Sequence, residues 1–206
     1  MMNTPPELPA SEPPVVPARR KFRWWIPVVT IILFFVANYA LTLIASLIKP
    51  RRSHMQDSAT VFARQMEQAV NSFYTDNQTM PTPENIAATK GGNLFKTDSP
   101  EGLEIVNILA GSGPPKANPR QIKYLIPRKA NSENKNGAIH DPGGSRITGL
   151  YDPWGNPYLI ILDTNYEEKI IVPFKTPVTL NGRHSVVYSA GPDGVLETKD
   201  DIKTWP

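Results

Sequence analysis

From Trp24 to Ile48 the chain carries no charged residue. As a helix this run is about 37 Å long at 1.5 Å per residue, more than the roughly 30 Å of a bilayer hydrocarbon core. A helix that is apolar on every side must be enclosed by protein or by lipid. With 206 residues in all, little protein is left to enclose it, so the run reads as a transmembrane helix over 24–48. A cleaved export signal is the rival, but its apolar stretch normally has only about 7–15 residues. Trp24 and Trp25 suit the membrane interface, and Pro27 falls in the first turn, where a missing N–H costs least. Arg19, Arg20, Lys21 and Arg23 precede the run, and Lys49, Arg51 and Arg52 follow it. Flanking charge this balanced only leans toward a cytoplasmic N-terminus.

The basic pI near 9.1 comes from that flank. Residues 1–52 hold seven basic and two acidic side chains, and 53–206 hold fifteen and seventeen. No nucleic-acid surface is expected from a basic excess confined to one end. Residues 1–17 contain six prolines and no extended apolar pattern, so 1–23 is expected to be a disordered, proline-rich basic tail. The absence of cysteine excludes disulfide scaffolds, thiolate metal sites and thiol catalysis.

Residues 53–206 read as one α+β domain. Met55, Ala59, Phe62, Met66, Ala69, Val70 and Phe73 recur at helical spacing, and Asp76, Asn77, Pro81 and Pro83 end that pattern. Proline at position 50 predicts a break between this amphipathic helix and the apolar one. Leu103–Leu109 reads as a short, loosely held helix. Alternation at Ile122, Tyr124 and Ile126 is strand-like, and 128–148 is a polar insertion. Tyr158–Leu162, Lys169–Val172 and Ser185–Tyr188 read as short strands of a small antiparallel sheet, on which the amphipathic helix would make the only sizeable core.

Three segments carry candidate chemistry. In Ser189–Ile202, the carboxylates of Asp193, Asp200 and Asp201 frame a loop turned by Gly191 and Gly194. Clustered carboxylates repel without a cation, and Ca²⁺ takes six to eight oxygen ligands. The loop is not an EF-hand, because Ser189 and Gly191 fall where carboxylates belong. A solvated turn, partly neutralised by Lys199, is the competing reading. Tyr151-Asp152-Pro153-Trp154-Gly155-Asn156-Pro157-Tyr158 reads as a structural turn with Trp154 capping the core, and a carbohydrate- or peptide-binding aromatic platform is its alternative. His140, Asp141 and Ser145 lie in a Gly-rich stretch without a nucleophile elbow, and adjacency in sequence says nothing of triad geometry. No enzyme is expected.

Three segments together resemble the major pseudopilin of type II secretion systems, a relative of type IV pilins. The stretch from Arg64 to Thr82, with Phe73-Tyr74-Thr75-Asp76-Asn77 and Pro81-Thr82 in it, looks like that family's helix end. Asp152 to Tyr158 is similar to its DPWGNPY motif. Tyr188-Ser189-Ala190-Gly191-Pro192-Asp193-Gly194 with Asp200-Asp201-Ile202 and Trp205 is similar to its calcium-loop ending. The resemblance implies a Ca²⁺ site in which Asp193, Asp200 and Asp201 give carboxylates and Ala190 and Thr198 give backbone carbonyls. It implies a structural subunit of a secretion or pilus-like apparatus in the inner membrane, single-pass, with its C-terminal domain periplasmic. Partners would be the membrane, further copies of the chain or other pseudopilins, and the apparatus's inner-membrane proteins. The family's cleavage motif and the glutamate five residues into its span have no counterpart here, since no acidic residue lies between Trp24 and Ile48. A non-polymerising, membrane-tethered binding module of the envelope is therefore the alternative.

Overall fold

The computed structural model describes residues 25–130 and 135–206, with side chains from 28 to 44 and from 54 onward. The proline-rich tail, 1–23, and Trp24 lie outside the described residues. Two units divide the chain, one ending at Leu47 and the other running from Ile48 to Pro206.

In the first unit the backbone is helical from Trp25, the start of α1 (Trp25–Asn77). Every described side chain from Val28 to Ile44 is exposed. The bulky apolar groups there, from Val29 at 42% to Tyr39 at 67%, pack against no core. Among the described residues no helix is long and apolar enough to cross a membrane. The apolar side chains described, 28–44, make about 25 Å of helix, short of a hydrocarbon core. The transmembrane reading of 24–48 thus rests on the sequence. The predicted break at Pro50 is corrected, because the backbone stays helical through it. One lost backbone hydrogen bond does not stop a helix held by packing further along.

The second unit is α+β. Ala59, Ala63, Met66, Ala69, Val70 and Phe73 are buried on one face of α1, as the helical spacing predicts. The helix stops at Asn77, and Gln78 turns the chain at φ +56°. A four-stranded antiparallel sheet follows in the order β1-β4-β7-β8, formed by β1 (Asn93–Lys96), β4 (Leu159–Leu162), β7 (Ser185–Ser189) and β8 (Ile202–Lys203). Between β1 and β4 come α2 (Pro100–Leu109) and a hairpin of β2 (Gly137–His140) and β3 (Ile147–Tyr151). Between β4 and β7 lies a second hairpin, β5 (Lys169–Val172) and β6 (Val178–Asn181).

Side-chain alternation divides the sheet's two faces, as a period of two requires. Ile160, Leu162 and Val187 join α1 and α2 in one core. Leu159, Ile161, Val186 and Tyr188 meet Ile170, Val172 and Trp205 in another. The single core expected is therefore two, because β4 and β7 are covered on both faces. The short helix is not loosely held: Ser99 caps α2 by accepting from the Gly102 N–H at 3.2 Å, and Ile105–Leu109 is buried. No strand forms at Ile122–Ile126. Leu125 is the buried residue there and Ile126 is 80% exposed, while Tyr124 and Leu125 donate their N–H groups to the Leu109 carbonyl at the end of α2.

Candidate metal centre

β7 leads into the acidic loop through Ala190, which precedes a single 3₁₀ turn, Gly191–Asp193. Gly194 closes that turn in the left-handed region, at φ +69°. Gly191 is also left-handed, at φ +64°, and a Cβ there would lie 2.2 Å from the backbone oxygen of Asp200. Glycine is required on both counts, conformation and space. The two limbs of the loop consequently touch, and the Asp193 N–H donates to Asp200 Oδ2 at 3.3 Å.

The carboxylates of Asp200 and Asp201 converge on one hydroxyl. Thr198 Oγ1 lies 2.6 Å from Asp200 Oδ1, 3.5 Å from Asp201 Oδ1 and 3.2 Å from the Val195 carbonyl oxygen. A hydroxyl has one proton to give, so acceptors outnumber donors at this point. The Thr198 hydroxyl is the main reason the Asp200 carboxyl sits below the ordinary carboxylate range, helped by backbone N–H donors and opposed by desolvation. Asp201 Oδ2 accepts from the Glu197 N–H at 2.9 Å. Asp193 Oδ1 accepts from the Val195 N–H at 2.8 Å, and the Asp193 side chain also helps to hold the Asp200 carboxyl low. Glu197 points away, both its oxygens 3.0 Å from the Lys175 backbone nitrogen.

Of the five expected ligands, Thr198, Asp200 and Asp201 are brought together by side-chain contacts, Asp193 joins them through its backbone N–H and its side chain, and Ala190 stands one residue before the Gly191–Asp200 contact. Asp193 and Asp200 also line one cleft of about 400 Å³ with Gln56, Trp154 and Pro192. Among the described residues no group of three or more His, Cys, Asp or Glu side chains is close enough to hold a metal ion. The donor set is all oxygen, carboxylate with hydroxyl and carbonyl, which fits a hard cation such as Ca²⁺ and not zinc.

Residues 151–158 form a structural turn with Trp154 against the core, as the sequence reading expects, and they also brace the acidic loop, which that reading does not anticipate. Asp152, fully buried, accepts through Oδ1 from the Trp154 and Asn156 N–H groups, both at 2.9 Å, and through Oδ2 from the Ser189 hydroxyl in a short hydrogen bond. Burial pushes its carboxyl up from the ordinary value, against the pull of those donors. Asn156 Nδ2 donates to the Gly191 carbonyl at 2.7 Å. Trp154 packs against the core. Neither contact could be read from the sequence, since they join residues 37 and 35 positions apart. Behind the loop, Tyr188 stacks edge-on with Trp205 at 5.6 Å, and burial followed by the Asp201 charge pushes its hydroxyl up to about 12.

The His140, Asp141 and Ser145 stretch has no triad arrangement. Ser145 Oγ donates to Asp141 Oδ2 at 3.3 Å, and His140 Nδ1 is buried with no hydrogen-bond partner. Among the described residues no histidine is hydrogen-bonded to that hydroxyl. No family model, curated protein or solved structure matches the chain.

Proposed function

We propose that the chain is a membrane-anchored, pseudopilin-like structural subunit whose C-terminal loop is held by Ca²⁺. The uncharged run 24–48 is the anchor, in the inner membrane, with the domain on its periplasmic side. Exposure of every described side chain from Val28 to Ile44 supports lipid as the solvent of that helix. One observation carries the calcium reading: Asp200 and Asp201 crowd a single hydroxyl, on a loop whose limbs touch at a glycine. Asp193, Asp200 and Asp201 would supply carboxylates and Ala190 and Thr198 carbonyls. Bound ion adds RT ln(1 + [L]/Kd) to the stability of the folded form. Melting the full-length chain in detergent with Ca²⁺ and with EGTA tests it: a higher midpoint in Ca²⁺ is expected, and equal midpoints over a wide metal range end the proposal.

The lack of an acidic residue between Trp24 and Ile48 favours a second reading, a non-polymerising tethered binding module. Crosslinking in cells separates the two. A regular ladder of homo-oligomers supports the subunit, and one heterologous partner without a ladder supports the module.

A further inference from the structure

The insertion after residue 128 builds a cavity of about 530 Å³ that the calcium loop does not share. Its walls come from two directions. The β2–β3 hairpin contributes His140, Ser145, Arg146 and Ile147, and the extended segment after α2 contributes Lys123, Leu125 and Ile126. A bulge fixes the hairpin wall: pairing shifts between Ile139 and His140, so that His140 faces Ile147 and skips Thr148. Bulges of this kind re-aim a side chain and recur beside functional sites.

The charge of this cavity is one-sided. Lys123 and Arg146 both line it, both are exposed, and neither forms an ion pair with any described residue. The nearest carboxylate in sequence, Asp141, is occupied: its oxygens accept from the Ser145 N–H at 2.9 Å, the Arg146 N–H at 3.1 Å and the Ser145 hydroxyl. Asp141 thereby shapes the turn that carries Arg146 to the cavity without pairing with it. His140 adds a ring nitrogen, Nδ1, that is out of water and unbonded, a state that costs free energy unless something supplies a partner. Leu125 and Ile126 give the cavity an apolar portion, and Ile126 is 80% exposed.

Two unpaired cations beside apolar side chains recognise one chemistry, an oxyanion on an apolar body. We propose that this cavity binds a small organic anion, its phosphate or carboxylate held by Lys123 and Arg146 and its apolar part lying on Leu125 and Ile126. Such a site is independent of the calcium loop and of the membrane anchor.

Equilibrium dialysis of the full-length chain in a neutral detergent tests it, with butyl phosphate, butyrate and butanol as probes. Saturable binding of at least one anion is expected, with affinity falling tenfold or more in Lys123→Ala/Arg146→Ala and weakening as salt is raised. The tighter of the two anions names the head group. Because both side chains are exposed, the double variant should melt as the parent does. Failure of both anions to saturate, equal binding of butanol, or unchanged affinity in the double variant would overturn the proposal.

Discussion

Asn107 holds the backbone of Ile147 with both ends of its side-chain amide: Nδ2 donates to the Ile147 carbonyl at 2.8 Å, and Oδ1 accepts from the Ile147 N–H at 2.8 Å. The amide thus does for β3 what a neighbouring strand would do, and it fastens the 137–151 hairpin to α2. Asn107 is 1% exposed, so water cannot replace it. Asn107→Ala leaves a buried donor and acceptor unpaired, and unpaired buried groups cost about 1–3 kcal/mol each. A loss of about 2–6 kcal/mol is expected by chemical denaturation. Hydrogen exchange should locate the loosening at Ile147 and its neighbours in β3, and protection there unchanged from the parent would refute the fastening role.

Asp152 makes the folded state's response to acid unusual. Its carboxyl is raised by burial, so its contribution to stability is fully present below the ordinary value near 3.8 and is lost as pH rises through the higher folded value. Relative to Asp152→Asn, the parent chain should gain stability as pH falls toward that ordinary value. Asp200 acts in the opposite sense: its carboxyl is lowered, so its contribution is present above 3.8 and is lost as pH falls. Ser189→Ala removes the hydroxyl that donates to Asp152 and should raise the Asp152 carboxyl further. Carboxyl ¹³C titration reads both shifts, and an Asp152 midpoint at or below the ordinary value would contradict the burial argument.

Patterns with a local cause were legible in the sequence. The buried face of α1 follows from the spacing of Ala59, Met66, Val70 and Phe73, and β5 falls on its β-branched run at Lys169–Val172. Nothing local marks β1, β6 or β8, which are short and take their shape from the strands they meet. At Ile122–Ile126 alternation misled, because Leu125 turns inward against α2 while its neighbours are only half covered or exposed. The polar insertion concealed a hairpin, since β2 and β3 are specified from outside, by Asn107 and by Ala138 exchanging hydrogen bonds with Arg128 and Ala130. In the acidic loop the residue types were informative, but the tie from Asp152 to Ser189 and the crowding of Asp200 and Asp201 on the Thr198 hydroxyl depend on three-dimensional packing.

Glu67 and Arg183 join α1 to the turn after β6 by an ion pair of 2.7 Å, with the Glu67 side chain 14% and the Arg183 side chain 33% exposed. Exposed pairs couple by about 0.2–1 kcal/mol, and partial burial raises the figure because either charge alone is left poorly solvated. A double-mutant cycle with Glu67→Gln and Arg183→Gln should give a coupling of about 1 kcal/mol, changing little with salt. A coupling indistinguishable from zero would mean that the contact positions the turn without stabilising it.

Two glycines of the acidic loop separate conformation from space. Gly191 and Gly194 have nearly the same left-handed backbone, φ +64° and +69°, so alanine at either meets a similar conformational cost of about 1 kcal/mol. Their surroundings differ. At Gly194 a Cβ would lie 3.4 Å from Asn156 Oδ1, an ordinary contact, whereas at Gly191 it would lie 2.2 Å from the Asp200 carbonyl oxygen and would force the two limbs of the loop apart. Gly194→Ala should therefore cost about 1 kcal/mol and keep the proposed stabilisation by Ca²⁺, because the limbs still meet. Gly191→Ala should cost about 2 kcal/mol or more and abolish the Ca²⁺ response, because Asp200 is carried away from Asp193 and from the turn that Asn156 holds. Denaturation of both variants in Ca²⁺ and in EGTA measures the four quantities. Equal loss of the metal response in the two variants would show that loop flexibility, and not the closed approach of Gly191 to Asp200, governs the site.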